Sequence, residues 1–198
     1  ALARVTRGEI PMLVSVNDAR GIRSAVEFGE RNEVSIIIAG GAEAPEVADM
    51  LAEKGIPVIL GPTQAMPPGP DDPYDYAYAR PAALHQAGVT FALSTFNASS
   101  ARTLPFEIAT AVPYGLPHEE ALKAITIYPA QILGLDDRLG SIETGKLANL
   151  AIVQGDPLEI DSQVEHLVIG GRLVDPRDNK HDQLYERYRS RPMRDGTR

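Results

Sequence analysis

Residues 115–157 read GLPHEEALKAITIYPAQILGLDDRLGSIETGKLANLAIVQGDP, and this stretch decides the fold. After Pro117, the run His118-Glu119-Glu120 sets acids where the positive end of a helix dipole favours them, and Leu122, Ile125 and Ile127 supply apolar positions behind. Pro129 to Leu133 reads as a second short helix, since proline is tolerated in a first turn. The periodicity then changes. Leu139–Ile142 and Leu147–Val153 read as two strands, joined by Glu143-Thr144-Gly145-Lys146 with a glycine available for positive φ. The expected order is helix, helix, hairpin.

Upstream, four apolar runs alternate with helical patterns. Residues 11–16 (PMLVSV) are followed by an amphipathic stretch through Ile22, Ala25, Val26 and Phe28, which Asp18 can cap. Val34–Ala39 (VSIIIA) has the continuous apolar character of a strand buried on both faces, and Gly40-Gly41 leads it into a helix through Val47, Met50 and Leu51. Ile56–Leu60 and Val89–Leu93 are the third and fourth runs, with a helix around Leu84 before the last and one carrying Leu104, Phe106, Ile108 and Val112 after it. Such alternation implies parallel strands with right-handed crossovers, in either a doubly wound sheet or a stretch of (β/α) barrel. Both put ligands at the carboxyl ends of strands, here Ser15–Asp18, Gly40–Glu43, Gly61–Gln64 and Ser94–Asn97.

Residues 61–79, GPTQAMPPGPDDPYDYAYA, are too proline-dense for a helix interior and read as an ordered loop rimming one strand end. Downstream, Val164–Val174 (VEHLVIGGRLV) reads as two strands around a Gly170-Gly171 turn, which would complete a small antiparallel sheet with Leu147–Val153. In the tail from Asp175, Leu184, Tyr185 and Tyr188 line one face of an expected docking helix that frays near Met193.

Composition narrows the function classes. The 198 residues are 43% hydrophobic and 23% charged, ordinary for a globular protein, and a net charge of −8 argues against a phosphate-binding surface and hence against nucleic acid. There is no cysteine, so disulfide and thiolate chemistry are excluded. No run approaches the roughly 20 apolar residues of a membrane span, and a soluble, cytoplasmic protein with no membrane partner is expected. Gly140–Lys146 (GSIETGK) satisfies most of a phosphate-loop pattern. Leu147 stands where that loop requires a magnesium-binding hydroxyl, however, and the lysine leads toward a strand, so a turn lysine is the better reading. Asn97-Ala98-Ser99 spells a glycosylation sequon without a secretory signal beside it.

The runs EALKAITIYPAQILGLDDRLGSIETGKLANLAIVQGDP, TLPFEIATAVPYGLP and VEHLVIGGRLVDPRDNKHDQLYERYRSRP resemble the C-terminal half of the amidohydrolase superfamily, close to its imidazolonepropionase-like members. The resemblance spans most of residues 34–192 and implies part of a (β/α) TIM-type barrel, about four strand-helix units over residues 1–134. A small β-subdomain over 135–176 and a C-terminal helix and tail over 177–198 would follow. It implies hydrolysis of carbon–nitrogen bonds other than peptide bonds, with a divalent metal, zinc above all, held by strand-end histidines and an aspartate and activating water.

By pattern, the family's fifth-strand histidines fall at Ser15 and Asn17, the sixth-strand histidine near Ala39 or Gly40, and the eighth-strand aspartate at Phe96. On that alignment the ligands expected within this chain are replaced, no metal is expected in it, and the chain alone is expected to be inactive. His85, His118, His166 and His181 fall in helices, a late strand and the tail, away from the mouth. The polar groups left there are Ser15, Asn17, Asp18, Glu43, Thr95, Asn97 and Arg102, a candidate small-molecule site. A half barrel would expose two strand edges, so the missing half or a second copy is an expected partner. A catalytically silent binding or scaffold protein is the alternative.

Overall fold

Ile36, Ile37 and Ile38 are consecutive and all buried, as in a strand covered on both faces. They begin β2 (Ile36–Gly40), which lies parallel to β1 (Met12–Val16) on one side and to β3 (Val58–Leu60) on the other; β4 (Phe91–Leu93) follows β3. The order β1-β2-β3-β4 is the simple one-way progression expected of successive right-handed crossovers. Each apolar run of the sequence thus yields a strand. Among the described residues β1 and β4 are the sheet's edges, and the sheet is open. The computed structural model describes residues 2–67, 69–176, 179–189 and 191.

Helices follow every strand. After the short α1 (Leu2–Thr6) and β1, α2 (Ala19–Arg31) turns Ile22, Ala25 and Val26 inward, while Phe28 stays 44% exposed. Asp18 caps α2 through its Oδ1, which accepts from the Gly21 amide at 2.8 Å. A 3-10 turn at Ala44–Val47 leads into α3 (Ala48–Glu53), whose Leu51 is fully buried beneath the sheet's helical face. α4 (Tyr76–Gln86) precedes β4, and α5 (Leu104–Ala109), α6 (His118–Ala124) and α7 (Ile127–Ile132) come after it. The main core joins Ile22, Val26, Ile38, Leu51, Val58, Leu60, Phe91 and Ile108; a second cluster of Ile37, Ala92 and Ile132 occupies the opposite face of the sheet.

Two of the expected elements need correcting. The proline-rich stretch is not loop to Ala79: helix α4 starts at Tyr76, and Pro81 sits within it. The residues Leu139–Ile142 form no strand. Gly140 has φ +92°, and a Cβ there would lie 2.8 Å from the Ala130 Cβ and 2.9 Å from the Ile127 Cα, so the chain is docked on the backbone of α7 and turned away from a ladder. Lys146 closes the segment, donating to Ser141 Oγ at 2.5 Å and Glu143 Oε1 at 3.1 Å. The phosphate-loop look-alike is a side-chain-bonded turn, with no helix after it.

By internal contacts the chain divides at this point. Residues to Lys146 with Leu158–Ile160 form one unit, and Leu147–Pro157 with the residues from Asp161 form another. In the second unit β5 (Leu150–Gln154) pairs antiparallel with β6 (Gln163–Ile169), and β6 with β7 (Arg172–Val174), as the patterns at 147–153 and 164–174 predict. Gly170 and Gly171 take φ +56° and +78°, the two positive values that a tight I′ turn demands, and Asn149 Oδ1 accepts from the Gly170 amide. In α8 (Lys180–Arg189) the expected docking residues Leu184, Tyr185 and Tyr188 are all exposed, because only three of its ten residues are apolar and they make a narrow stripe. Met193 lies outside the described residues. No helix among them is long and apolar enough to cross a membrane.

Candidate functional site

The carboxyl ends of the four strands are laced into one ribbon by main-chain hydrogen bonds. Gly41 N donates to Val16 O at 2.8 Å and Glu43 N to Asn17 O at 2.8 Å; Gly61 N reaches Gly40 O at 3.1 Å, and Ser94 N reaches Leu60 O at 2.9 Å. The segments Ser15–Asp18, Gly40–Glu43, Gly61–Gln64 and Ser94–Asn97 therefore lie side by side, as parallel topology requires. Across the sheet one row runs Ser15, Ala39, Ile59, Ala92 in register, on the face opposite the main core. Ser15 is exposed on that row and supplies its one hydroxyl.

At the β1 and β2 ends the polar groups hold one another. Asp18 is occupied by the Gly21 amide, and Glu43 Oε2 accepts from the Ala19 amide at 2.8 Å, so two carboxylates together serve the start of α2. Asn17 folds over Gly40: a Cβ on that glycine, which has φ +100°, would meet Asn17 Oδ1 at 2.5 Å. Tyr76 donates from its hydroxyl to Ala42 O at 3.1 Å, and burial, with the charges of Glu46 and Glu43, raises its pKa.

The β4 end is built separately. Thr95 Oγ1 donates to Asn97 O at 2.9 Å, and Asn97 Oδ1 accepts from the Ser99 amide at 2.9 Å, capping the 3-10 turn Ala98–Thr103 that carries the exposed Arg102. Phe96, where the resemblance would put an aspartate, has φ +48° and is 55% exposed, with its ring over Gly61. The structure therefore brings Asn17, Asp18 and Glu43 together, and separately Thr95 and Asn97. The two groups stand at opposite edges of the sheet, three strand spacings or about 14 Å apart along it.

Behind the β3 end lies a polar cluster that the sequence reading missed. Thr63 is fully buried; its Oγ1 donates to Glu107 O at 2.5 Å and accepts from Thr110 Oγ1 at 3.0 Å. Arg80 is 7% exposed and donates from Nη2 to Pro62 O at 2.9 Å, burial lowering its pKa. Glu107 is 5% exposed, takes a bond on Oε1 from Thr103 Oγ1 at 3.3 Å and leaves Oε2 buried without a partner. Its one visible signal is an acid inside the apolar run Leu104–Ala109.

The donor set can be tested for a divalent cation, which takes at least three protein ligands in a zinc site. No three His, Asp or Glu side chains converge anywhere among the described residues. At the mouth, each of the two carboxylates already accepts from a backbone amide. The four histidines lie in α4, at the first residue of α6, in β6 and in α8, none at a parallel strand's carboxyl end. The described residues therefore do not fit a metal.

The sequence model of the amidohydrolase family matches residues 75–174. An amidohydrolase from Thermotoga maritima superimposes with a TM-score of 0.79 at 34% identity, over 87% of this chain and 45% of that one. Imidazolonepropionase of Porphyromonas gingivalis is 39% identical over 110 residues, 50% of this chain and 26% of its own. N-acetylglucosamine-6-phosphate deacetylase of Haemophilus influenzae is 46% identical over 56 residues, 28% of this chain and 15% of its own. The chain spans less than half the length of each of these proteins. With half its residues matched by the family and its strands in the same arrangement, the chain belongs to the amidohydrolase family.

Proposed function

We propose that the chain supplies part of an amidohydrolase-type barrel that hydrolyses carbon–nitrogen bonds other than peptide bonds, with a small-molecule substrate seated across the strand ends. The observation that carries this reading is the laced ribbon of strand termini, with the Ser15 hydroxyl at the edge of an otherwise apolar row. Family membership and the likeness to imidazolonepropionase support the reaction class.

In this reading Ser15, Asn17, Asp18, Thr95, Asn97 and Arg102 bind and orient substrate. Ser15 and Asn17 do so from one edge, and Thr95, Asn97 and Arg102 from the other, where the guanidinium suits a carboxylate or carbonyl. The role of these residues is recognition. Any metal that generates hydroxide would be held by residues outside this chain. The remaining strands come from sequence beyond residues 1–198 or from a second copy, either of which would cover the open edges of β1 and β4.

One observation favours the second reading, a binding protein without turnover: the carboxylates best placed for proton transfer, Asp18 and Glu43, are engaged as caps. Elemental analysis of the protein purified without chelators, combined with hydrolysis assays on cyclic and acyl amides, separates the two. Turnover with a bound metal, reduced by Asn17→Ala or Asn97→Ala, is the hydrolase result. A retained ligand with neither metal nor turnover is the binder result. Absence of metal, ligand and turnover together would refute both.

A further inference from the structure

Past the end of β3 the chain opens into a cleft of about 670 Å3, lined chiefly by Gln64, Met66, Tyr78, Thr110 and Tyr114. The rings of Tyr78 and Tyr114 stand with centroids 5.3 Å apart and tilted by 34°, so two aromatic rings pack together in the wall. No charged side chain lines the cleft itself. The segment that leads into Tyr78 is acidic: residues 69–79, GPDDPYDYAYA, hold Asp71, Asp72 and Asp75 and no base. The first cation after them, Arg80, is buried with its guanidinium committed to the Pro62 and Ala77 carbonyls.

Asp75 is the acid best placed to act. It occupies the N-cap position of α4 with its carboxylate making no bond to the helix amides, and it is only partly exposed. It sits near the Tyr114 phenol, which is hydrogen-bonded with Tyr74; burial, Tyr74 and the Asp75 charge all raise that phenol's pKa. A cap position that does not cap leaves a negative charge one helical turn before Tyr78, whose amide donates to the Asp75 carbonyl at 2.9 Å.

We propose that this cleft binds a cationic amine. Ring faces carry the negative end of the aromatic quadrupole and attract cations, most effectively where the lining is otherwise uncharged and dry. A carboxylate at the rim adds attraction over several ångströms without requiring a direct hydrogen bond, which suits a tertiary or quaternary ammonium better than a strongly hydrated primary one. The overall charge of −8 draws such a ligand in. The thioether of Met66, 87% exposed, adds a pliable apolar group to the lining. The site stands apart from the edge groups of the strand mouth and holds whether or not hydrolysis takes place there.

The test compares choline with its uncharged isostere, in which carbon replaces nitrogen, by calorimetric titration of the protein at low and high salt. Choline should bind at least about tenfold more tightly, with the advantage shrinking as salt is added. Asp75→Asn, which removes no cap bond, and Tyr114→Ala should each weaken choline several-fold, whereas Tyr78→Phe, which keeps the ring face, should bind as the parent does. Equal affinity for the isostere would overturn the proposal in favour of a merely apolar cleft. Absence of choline binding by the folded parent, or an Asp75→Asn variant that binds unchanged, would overturn it as well.

Discussion

Gly140 and Gly145 differ in surroundings while sharing a backbone conformation, and that makes a sharp test of how residues 139–146 are built. Their φ values are +92° and +98°, so replacing either by alanine imposes a similar conformational cost, about 1–3 kcal/mol. A Cβ at Gly145 meets nothing within 4 Å. At Gly140 it would lie 2.8 Å from the Ala130 Cβ, 2.9 Å from the Ile127 Cα and 3.0 Å from the Thr126 carbonyl oxygen. Two of those atoms are backbone and the third is fixed to it, so no side chain can swing away, and overpacking of this sort adds about 1–3 kcal/mol. Gly145→Ala should therefore cost about 1–3 kcal/mol and Gly140→Ala about 2–6 kcal/mol, with Gly140→Ala the larger by at least about 1 kcal/mol. Urea unfolding followed by circular dichroism measures both, on the transition that reports helix loss. Equal costs would refute the docking of this segment on α7 and return it to the strand-and-turn arrangement that its apolar pattern suggests.

Other outcomes follow from single contacts. Leu51→Ala empties a fully buried position beneath the sheet and should cost about 2–5 kcal/mol in the same unfolding experiment. Asp18→Ala removes the Oδ1 cap on the Gly21 amide and should cost about 1 kcal/mol, with faster amide exchange confined to the first turn of α2. Glu120 accepts from Lys123 Nζ at 2.8 Å and from the Tyr128 hydroxyl at 2.5 Å, and it faces His85 Nδ1 at 3.6 Å; the Lys123 and Tyr128 bonds hold its pKa below the ordinary glutamate value. A depressed carboxyl pKa contributes stability above the ordinary value of 4.5 that is lost as pH falls through the folded value, so Glu120→Gln should lower stability at neutral pH and flatten the acid limb of a pH–stability profile. An unchanged acid limb would remove Glu120 from that role.

The parts of the fold legible in the sequence are those whose signal is local. Ile36-Ile37-Ile38 announces a strand covered on both faces, Asp18 announces a helix start, and Gly170-Gly171 announces its turn, because each depends on residues within a few positions. Leu139–Ile142 misleads for the opposite reason. Its apolar ends look like strand residues, yet Ile142 is 87% exposed and Gly140 is placed by the backbone of α7, about ten residues earlier. Tyr76–Ala79 misleads in a milder way: proline density argues for loop, while the helix begins as soon as Pro73 is passed and absorbs Pro81 within it.

The same distinction governs the site. The strand ends could be located from periodicity alone, but what their polar groups do depends on partners far along the chain. Glu43 answers the Ala19 amide 24 residues away, and Thr63 answers the Glu107 carbonyl 44 residues away. Sequence reading therefore gathers seven polar side chains into one mouth, whereas the folded sheet sorts them into two edges and commits both carboxylates to the backbone. Of the seven, Ser15 and Arg102 are exposed, one beside the apolar row at the β1 edge and the other in the 3-10 turn after β4. The proposed division of labour, with substrate held by this chain and transformed by groups facing the open edges of β1 and β4, follows from that sorting and stands or falls with the metal and turnover measurements.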